Sequence, residues 1–139
     1  MVILDTNIVS ELTRIEPSRR VIDWLDALDG DEVFITAITK AEIIYGLEVM
    51  DAGRRRFELE AKYRILFETR FLGRVLPFDG ESAHPFARFA ASARKRGRTY
   101  SMGDLQIAAI ASSNYASLAT RNQDHFEHLG LDLINPWAD

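Results

Sequence analysis

Short apolar runs, each followed by sequence patterned for a helix, constrain this chain more than any other feature. Residues 2–4, 33–35, 75–78, 117–120 and 131–134 read as strands. Between them, apolar residues recur at helical spacing. Val21, Trp24, Leu25 and Leu28 mark a helix over 21–28, and Ile43, Ile44, Leu47 and Met50 mark one starting near Thr39. Further helices are predicted over 55–71, 82–96 and 104–111, with Pro85 tolerated in a first turn and Gly97 suited to a C-terminal stop. The last is apolar nearly all round (Leu105, Ile107, Ala108, Ala109, Ile110), which predicts burial. Strands alternating with helices imply an α/β class fold: an α/β/α sandwich whose central parallel sheet has about five short strands.

Composition narrows the function classes. A chain of 139 residues fits one domain, 1–139, with a genuine core. It has no cysteine, which excludes disulfides, thiolate zinc sites and thiol nucleophiles. No stretch approaches the ~18 apolar residues of a membrane span. The first charged side chain, Asp5, comes too early for a signal peptide. The expectation is a soluble, cytoplasmic protein without a membrane partner. The net charge of −4 gives no general reason to bind nucleic acid. The basic residues are nevertheless clustered, at Arg14, Arg19 and Arg20, at Arg54 to Arg56, and at Arg94, Lys95, Arg96 and Arg98. Such clusters either track phosphates or are solvated helix ends.

The acids carry the functional signal. Asp5 ends the first apolar run and is followed by Thr6 and Asn7, so it belongs at the carboxyl edge of the sheet, where open α/β folds bind ligands. Glu42, Asp104 and Asp124 arrive in similar settings. Each has a local explanation. Asp5 suits a helix N-cap, Thr39-x-x-Glu42 fits a capping box, and Ser101-x-x-Asp104 is the same motif with a shorter acid. Together they suggest more. Carboxylates within ~4 Å repel by roughly 4 kcal/mol per pair at an effective dielectric near 20. A cation or protons must neutralise such a cluster. Mg²⁺ and Mn²⁺ suit all-oxygen sites, and phosphodiester hydrolysis is the chemistry they support. His84, His125 and His128 are a poor zinc set.

These pieces resemble a PIN-domain nuclease along nearly the whole chain: Leu4-Asp5-Thr6-Asn7 with Ser10-Glu11, Thr39-x-x-Glu42-Ile43-x-Tyr45-Gly46, Asp104-Leu105-Gln106-Ile107-Ala108-Ala109, and Ala119-Thr120-Arg121-Asn122. The closing Asn135-Pro136-Trp137 resembles the FitB-like branch of VapC toxins. The resemblance implies a Mg²⁺- or Mn²⁺-dependent endoribonuclease, the toxin of a type II toxin–antitoxin pair. It also implies a small DNA-binding antitoxin over the active site, a homodimer, and structured RNA such as tRNA as substrate. By motif position, Asp5 and Asp104 would be the main metal ligands. Glu42 would complete the triad directly or through water, and Thr6 and Asn122 would support it by hydrogen bonding. The family's fourth acid stands immediately before the phenylalanine that follows the Arg-Asn pair. Here His125 holds that place and Asp124 precedes it, so the fourth position falls to one or the other, and the metal count with it. The rival reading is a non-catalytic PIN-like module that binds RNA or protein and whose acids merely cap helices.

Overall fold

The computed structural model describes residues 1–138. Five parallel strands form one sheet: β1 (Val2–Leu4), β2 (Val33–Thr36), β3 (Val75–Leu76), β4 (Ser117–Ala119) and β5 (Leu133–Ile134), in the order β3-β2-β1-β4-β5. Six helices connect them: α1 (Thr6–Glu11), α2 (Arg19–Asp26), α3 (Ala37–Glu48), α4 (Arg54–Glu68), α5 (Gly80–Lys95) and α6 (Met102–Ser113). From β1 the chain builds outward through β2 and β3, then returns to the other side of β1 to lay down β4 and β5. The reversal falls between β1 and β4. A crevice therefore opens beyond the carboxyl ends of these two strands.

The alternation of side chains along each strand sorts the core into two layers. Leu4, Ile35 and Ala119 pack against Ile8, Val21, Leu25, Ile43 and Phe71 on the face covered by α1 to α4. Ile3 and Leu118 point the other way, onto Phe89, Leu105, Ile107, Ala108 and Phe126 beneath α5 and α6. Fully buried phenylalanines, Phe71 and Phe126, anchor the two layers. Each contributes about 1.5–3 kcal/mol relative to an exposed ring. Ala108 and Ala109 on α6 are completely buried and let that helix lie close to its neighbours, as its all-round apolar sequence predicts.

Helix starts follow from local chemistry. Asp5, Ser18, Thr36, Asp79 and Ser101 each place a side-chain oxygen on a first-turn backbone N–H. The stop of α5 is a Schellman turn. Gly97 has φ of 64°, its N–H donates to the Arg94 carbonyl and that of Arg98 to Ala93.

Two expectations need correction. The third helix starts at Ala37, and Thr36, not Thr39, caps it by accepting from the Thr39 N–H at 3.1 Å. The capping-box assignment of Thr39 and Glu42 therefore fails, because β2 runs straight into α3 with no loop between. The helix expected over 55–71 ends at Glu68. Phe71 enters the core from the turn that follows, its N–H donating to the Leu66 carbonyl. Among the described residues, no helix is long and apolar enough to cross a membrane.

Candidate active site

Asp5 occupies the single residue between β1 and α1, and the strand pairing fixes it there. Its N–H donates to the Ala119 carbonyl of β4 at 2.9 Å, which places the side chain at the mouth of the crevice. Oδ1 accepts from the Thr6 N–H at 2.8 Å, and Oδ2 from the Thr120 hydroxyl at 2.8 Å and Asn7 Nδ2 at 3.4 Å. The N-cap role and the site position thus coincide in one residue. Asp5 is only 7 % exposed, and burial pushes its carboxyl above the ordinary range. The bonds from Thr120 and Thr6 pull it back down, Asp104 pushes it up again, and His125 works in the opposite sense.

Glu42 reaches the same place from the second turn of α3. The Thr6 hydroxyl lies 3.2 Å from both Glu42 Oε1 and Thr39 Oγ1. With one hydrogen to give, it donates to one of them at a time. The Glu42 side chain touches solvent, yet crowding removes enough water to raise its carboxyl above the usual value, and Asp5 and Asp104 add to that rise while Thr6 opposes it. Asp104 is supplied by the first turn of α6, where its N–H caps onto Ser101 Oγ at 3.0 Å. That turn runs beside Glu42: a Cβ on Gly103 would sit 3.9 Å from the Glu42 carboxylate. Three acids from separate parts of the chain therefore share one electrostatic neighbourhood.

The remaining candidates lie at the rim. Asn122 contributes through its backbone, its N–H donating to Thr120 Oγ1 at 3.1 Å. Asp124 is exposed, and its carbonyl accepts from Arg98. His125 Nδ1 stands 3.4 Å from Asp104 Oδ2, so the imidazole is the rim group nearest the acids. Sequence reasoning did not single out Thr120 and Asn7 as partners of Asp5. The available signal was a hydroxyl at the end of one strand and an amide two residues after the acid on another, in strands that lie side by side.

The donor set is all oxygen. Among the described residues, no three His, Cys, Asp or Glu side chains form a ready-made metal cage. Mg²⁺ is commonly held by one or two carboxylates with waters completing its shell, so a looser acid set does not disqualify it. The buried Asp5 carboxylate accepts hydrogen bonds only from neutral donors, and Asp104 opposes its charge more than His125 relieves it. That is the surrounding a hard cation would relieve.

Comparisons with known proteins bear on the family and the fold. Residues 2–131 match the model of the PIN domain. The chain belongs to the PIN-domain family. VapC ribonuclease Y4jK of Sinorhizobium fredii is 40% identical over 99% of this chain and 98% of that protein. Toxin FitB of Neisseria gonorrhoeae is 34% identical, with 100% of both chains covered. The solved structure of FitAB bound to the IR36 DNA fragment contains a chain 34% identical, with a TM-score of 0.91 over 100% of this chain and 97% of that one. The PIN fold predicted from the motif series is the fold observed, a parallel five-stranded sheet between helical layers.

Proposed function

We propose that this PIN domain is a divalent-metal-dependent endoribonuclease and the toxin of a type II toxin–antitoxin pair. The observation that carries the reading is the convergence of Asp5, Glu42 and Asp104 at the carboxyl edge, with the buried Asp5 held by neutral donors. The ribonuclease and toxin names of the full-length relatives support the same class. Asp5 and Asp104 would hold Mg²⁺ or Mn²⁺, and Asp124, exposed at the rim, would face substrate and not the metal. A bound ion would supply Lewis acidity and a water of lowered pKa.

The chain's own residues do the rest. The Thr6 N–H and the Thr120 hydroxyl fix the Asp5 carboxylate in one rotamer, so that little reorganisation is needed when charge develops on the phosphate. Glu42 is anchored through one oxygen by Thr6, and its raised proton affinity suits it to accept the proton of an attacking water. Asn122 supports through its backbone N–H, which holds the Thr120 hydroxyl in line.

RNA is the substrate in this reading, with structured RNA such as tRNA as the class, in the cytoplasm. The partners are an antitoxin and a second copy of the chain. Ile44 and Tyr45 on α3, Val49 just after it, and Phe57 and Ile65 on α4 are exposed apolar side chains of the kind that macromolecular partners cover. The solved relative FitAB, bound to a DNA fragment, supports a two-component assembly with a DNA-binding partner. One observation favours the rival, a non-catalytic module. When protonated, His125 beside Asp104 would neutralise that acid without any metal.

The decisive experiment is cleavage of total RNA by purified protein with Mg²⁺, with EDTA, and by Asp104→Asn. Cutting that requires the metal and disappears in the variant is expected. Undiminished cutting in EDTA, or near-parental turnover by Asp104→Asn, would overturn the mechanism. Clean folding of the parent with no cleavage at all would favour the binding module.

A further inference from the structure

The acid cluster continues on the Asp104 side into a concavity whose far wall takes no part in the chemistry above. It is a cleft of about 340 Å³ lined by Arg98, Tyr100, Ser101, Asp104, Asp124 and His125. Small-molecule sites span roughly 300–1,000 Å³, so this one suits a single nucleoside and not a longer stretch of chain.

Its walls are pre-organised by two loops that clasp each other. The Schellman turn at Gly97 directs the chain so that Arg98 donates to the Asp124 carbonyl, while the Tyr100 hydroxyl donates to the Glu127 carbonyl at 2.7 Å. The Arg98 guanidinium also stacks on the Tyr100 ring, 5.2 Å from its centre. Two flat side chains, Tyr100 and His125, are thus presented by loops that are already tied down.

The charge balance decides what fits. Asp104 and Asp124 put two carboxylates in the lining against one guanidinium. That guanidinium is committed to the Asp124 carbonyl, with Glu127 Oε2 a further 4.0 Å contact. Away from the ion that Asp104 would hold, the Asp124 carboxylate would repel a second phosphate. An uncharged ring with hydrogen-bond donors on its edge would meet no such repulsion. Single-stranded RNA bases are recognised by stacking on aromatic and guanidinium planes and by bonds to their Watson–Crick edge.

We propose that this cleft binds the nucleobase adjoining the scissile phosphate, and that Asp124 selects guanine there. The proposal rests on the ribonuclease reading above. Guanine presents adjacent N1–H and N2–H donors that match the two oxygens of a carboxylate. Adenine and cytosine present one amine each, and uracil flanks its single N–H with carbonyls that the carboxylate repels. A base seated against His125 and the Arg98–Tyr100 stack would lie beside Asp104, because His125 Nδ1 stands 3.4 Å from that acid. Its phosphate is thereby delivered to the acid cluster.

Two measurements test this. In the first, the wild-type protein is given a random-sequence RNA pool and the cut ends are sequenced. Guanine should exceed uracil by about tenfold at one of the two positions flanking the cut, and Asp124→Asn should flatten that bias. In the second, Asp5→Asn protein is titrated with each of the four nucleoside 5′-monophosphates while the Tyr100 and His125 NMR signals are followed. Guanosine monophosphate should bind tightest. Adding Tyr100→Leu should weaken all four, and Tyr100→Phe, which keeps the ring but loses the bond to the Glu127 carbonyl, should weaken them less. A protein that cuts RNA with no flanking bias, or with a bias that survives Asp124→Asn, overturns the guanine subsite and leaves the ribonuclease reading intact. A protein that cuts nothing overturns the ribonuclease reading, and the titration then stands alone. Equal affinity for guanosine and uridine monophosphates would overturn the cleft assignment.

Discussion

Asp5 and Glu11 are both buried carboxylates, 7 % and 4 % exposed, at the two ends of the same short helix. Their surroundings differ in kind. Glu11 accepts from the Ser18 N–H at 2.7 Å and pairs with the Arg14 guanidinium at 3.2 Å, so its charge is balanced within the protein and it ties the α1–α2 loop in place. Asp5 receives bonds only from neutral donors and has a second acid, Asp104, raising its proton affinity. Burial alone does not mark a functional acid. The sign of what bonds to it does, since a buried charge with no cation bonded to it stands ready for a ligand that brings one.

Substitutions can break this contrast directly. Asp5→Asn should lower RNA cleavage by on the order of a hundred- to a thousandfold, as loss of a preorganised charge at a reacting centre does, while thermal unfolding shows no loss of stability. A matching fall in Tm would place Asp5 in the same structural class as Glu11. Thr120→Val removes the hydroxyl that orients Asp5 and should reduce cleavage roughly 10- to 100-fold, the usual cost of an outer hydrogen-bonding partner, with metal affinity weakened in parallel by calorimetry. Glu11→Ala should do the reverse. It strands the Ser18 N–H and should cost about 1–3 kcal/mol in urea unfolding, with cleavage per folded molecule unchanged.

The pH dependence sharpens the same point more gently. Glu42 holds its proton more tightly in the folded protein than in the unfolded chain, whose value lies near 4.5. As pH rises from there through the higher folded value, the unfolded state loses its proton first, and the native state loses stability relative to it. Glu42→Gln abolishes that loss. In metal-free protein, its Tm should therefore gain on the parent between pH 4 and pH 7, and added Mg²⁺ should close the gap by stabilising the parent. A gap independent of pH would mean that Glu42 is not under this electrostatic load.

Much of the architecture is legible in the sequence because apolar periodicity is a local property. The strands at Val2, Val33 and Ser117 and the buried helix through Ile107 and Ala108 need only their own residues to be read. The start of α3 was harder. Thr36 and Thr39 are both competent caps, and which one accepts the bond depends on where β2 lets go of its neighbours. The site is legible in part. Asp5 and Asp104 stand out by position at helix starts. Thr120 matters only because β4 lies beside β1, a pairing across 115 residues of sequence that no local pattern encodes. Arg98 reads as the end of a basic cluster, and Tyr100 carries no signal of its own. Their clasp on Asp124 and Glu127 depends on two loops meeting in space.

The bond between Asp5 and Thr120 has a consequence for the chain during its own synthesis. A ribosome releases the amino end first. The acid that follows β1 then waits, without its hydroxyl partner and without β4 beside it, until Thr120, 115 residues further along, has emerged. Asp104 and the start of α6 also come late. A chain interrupted before β4 therefore carries the first carboxylate but lacks the hydroxyl that orients it.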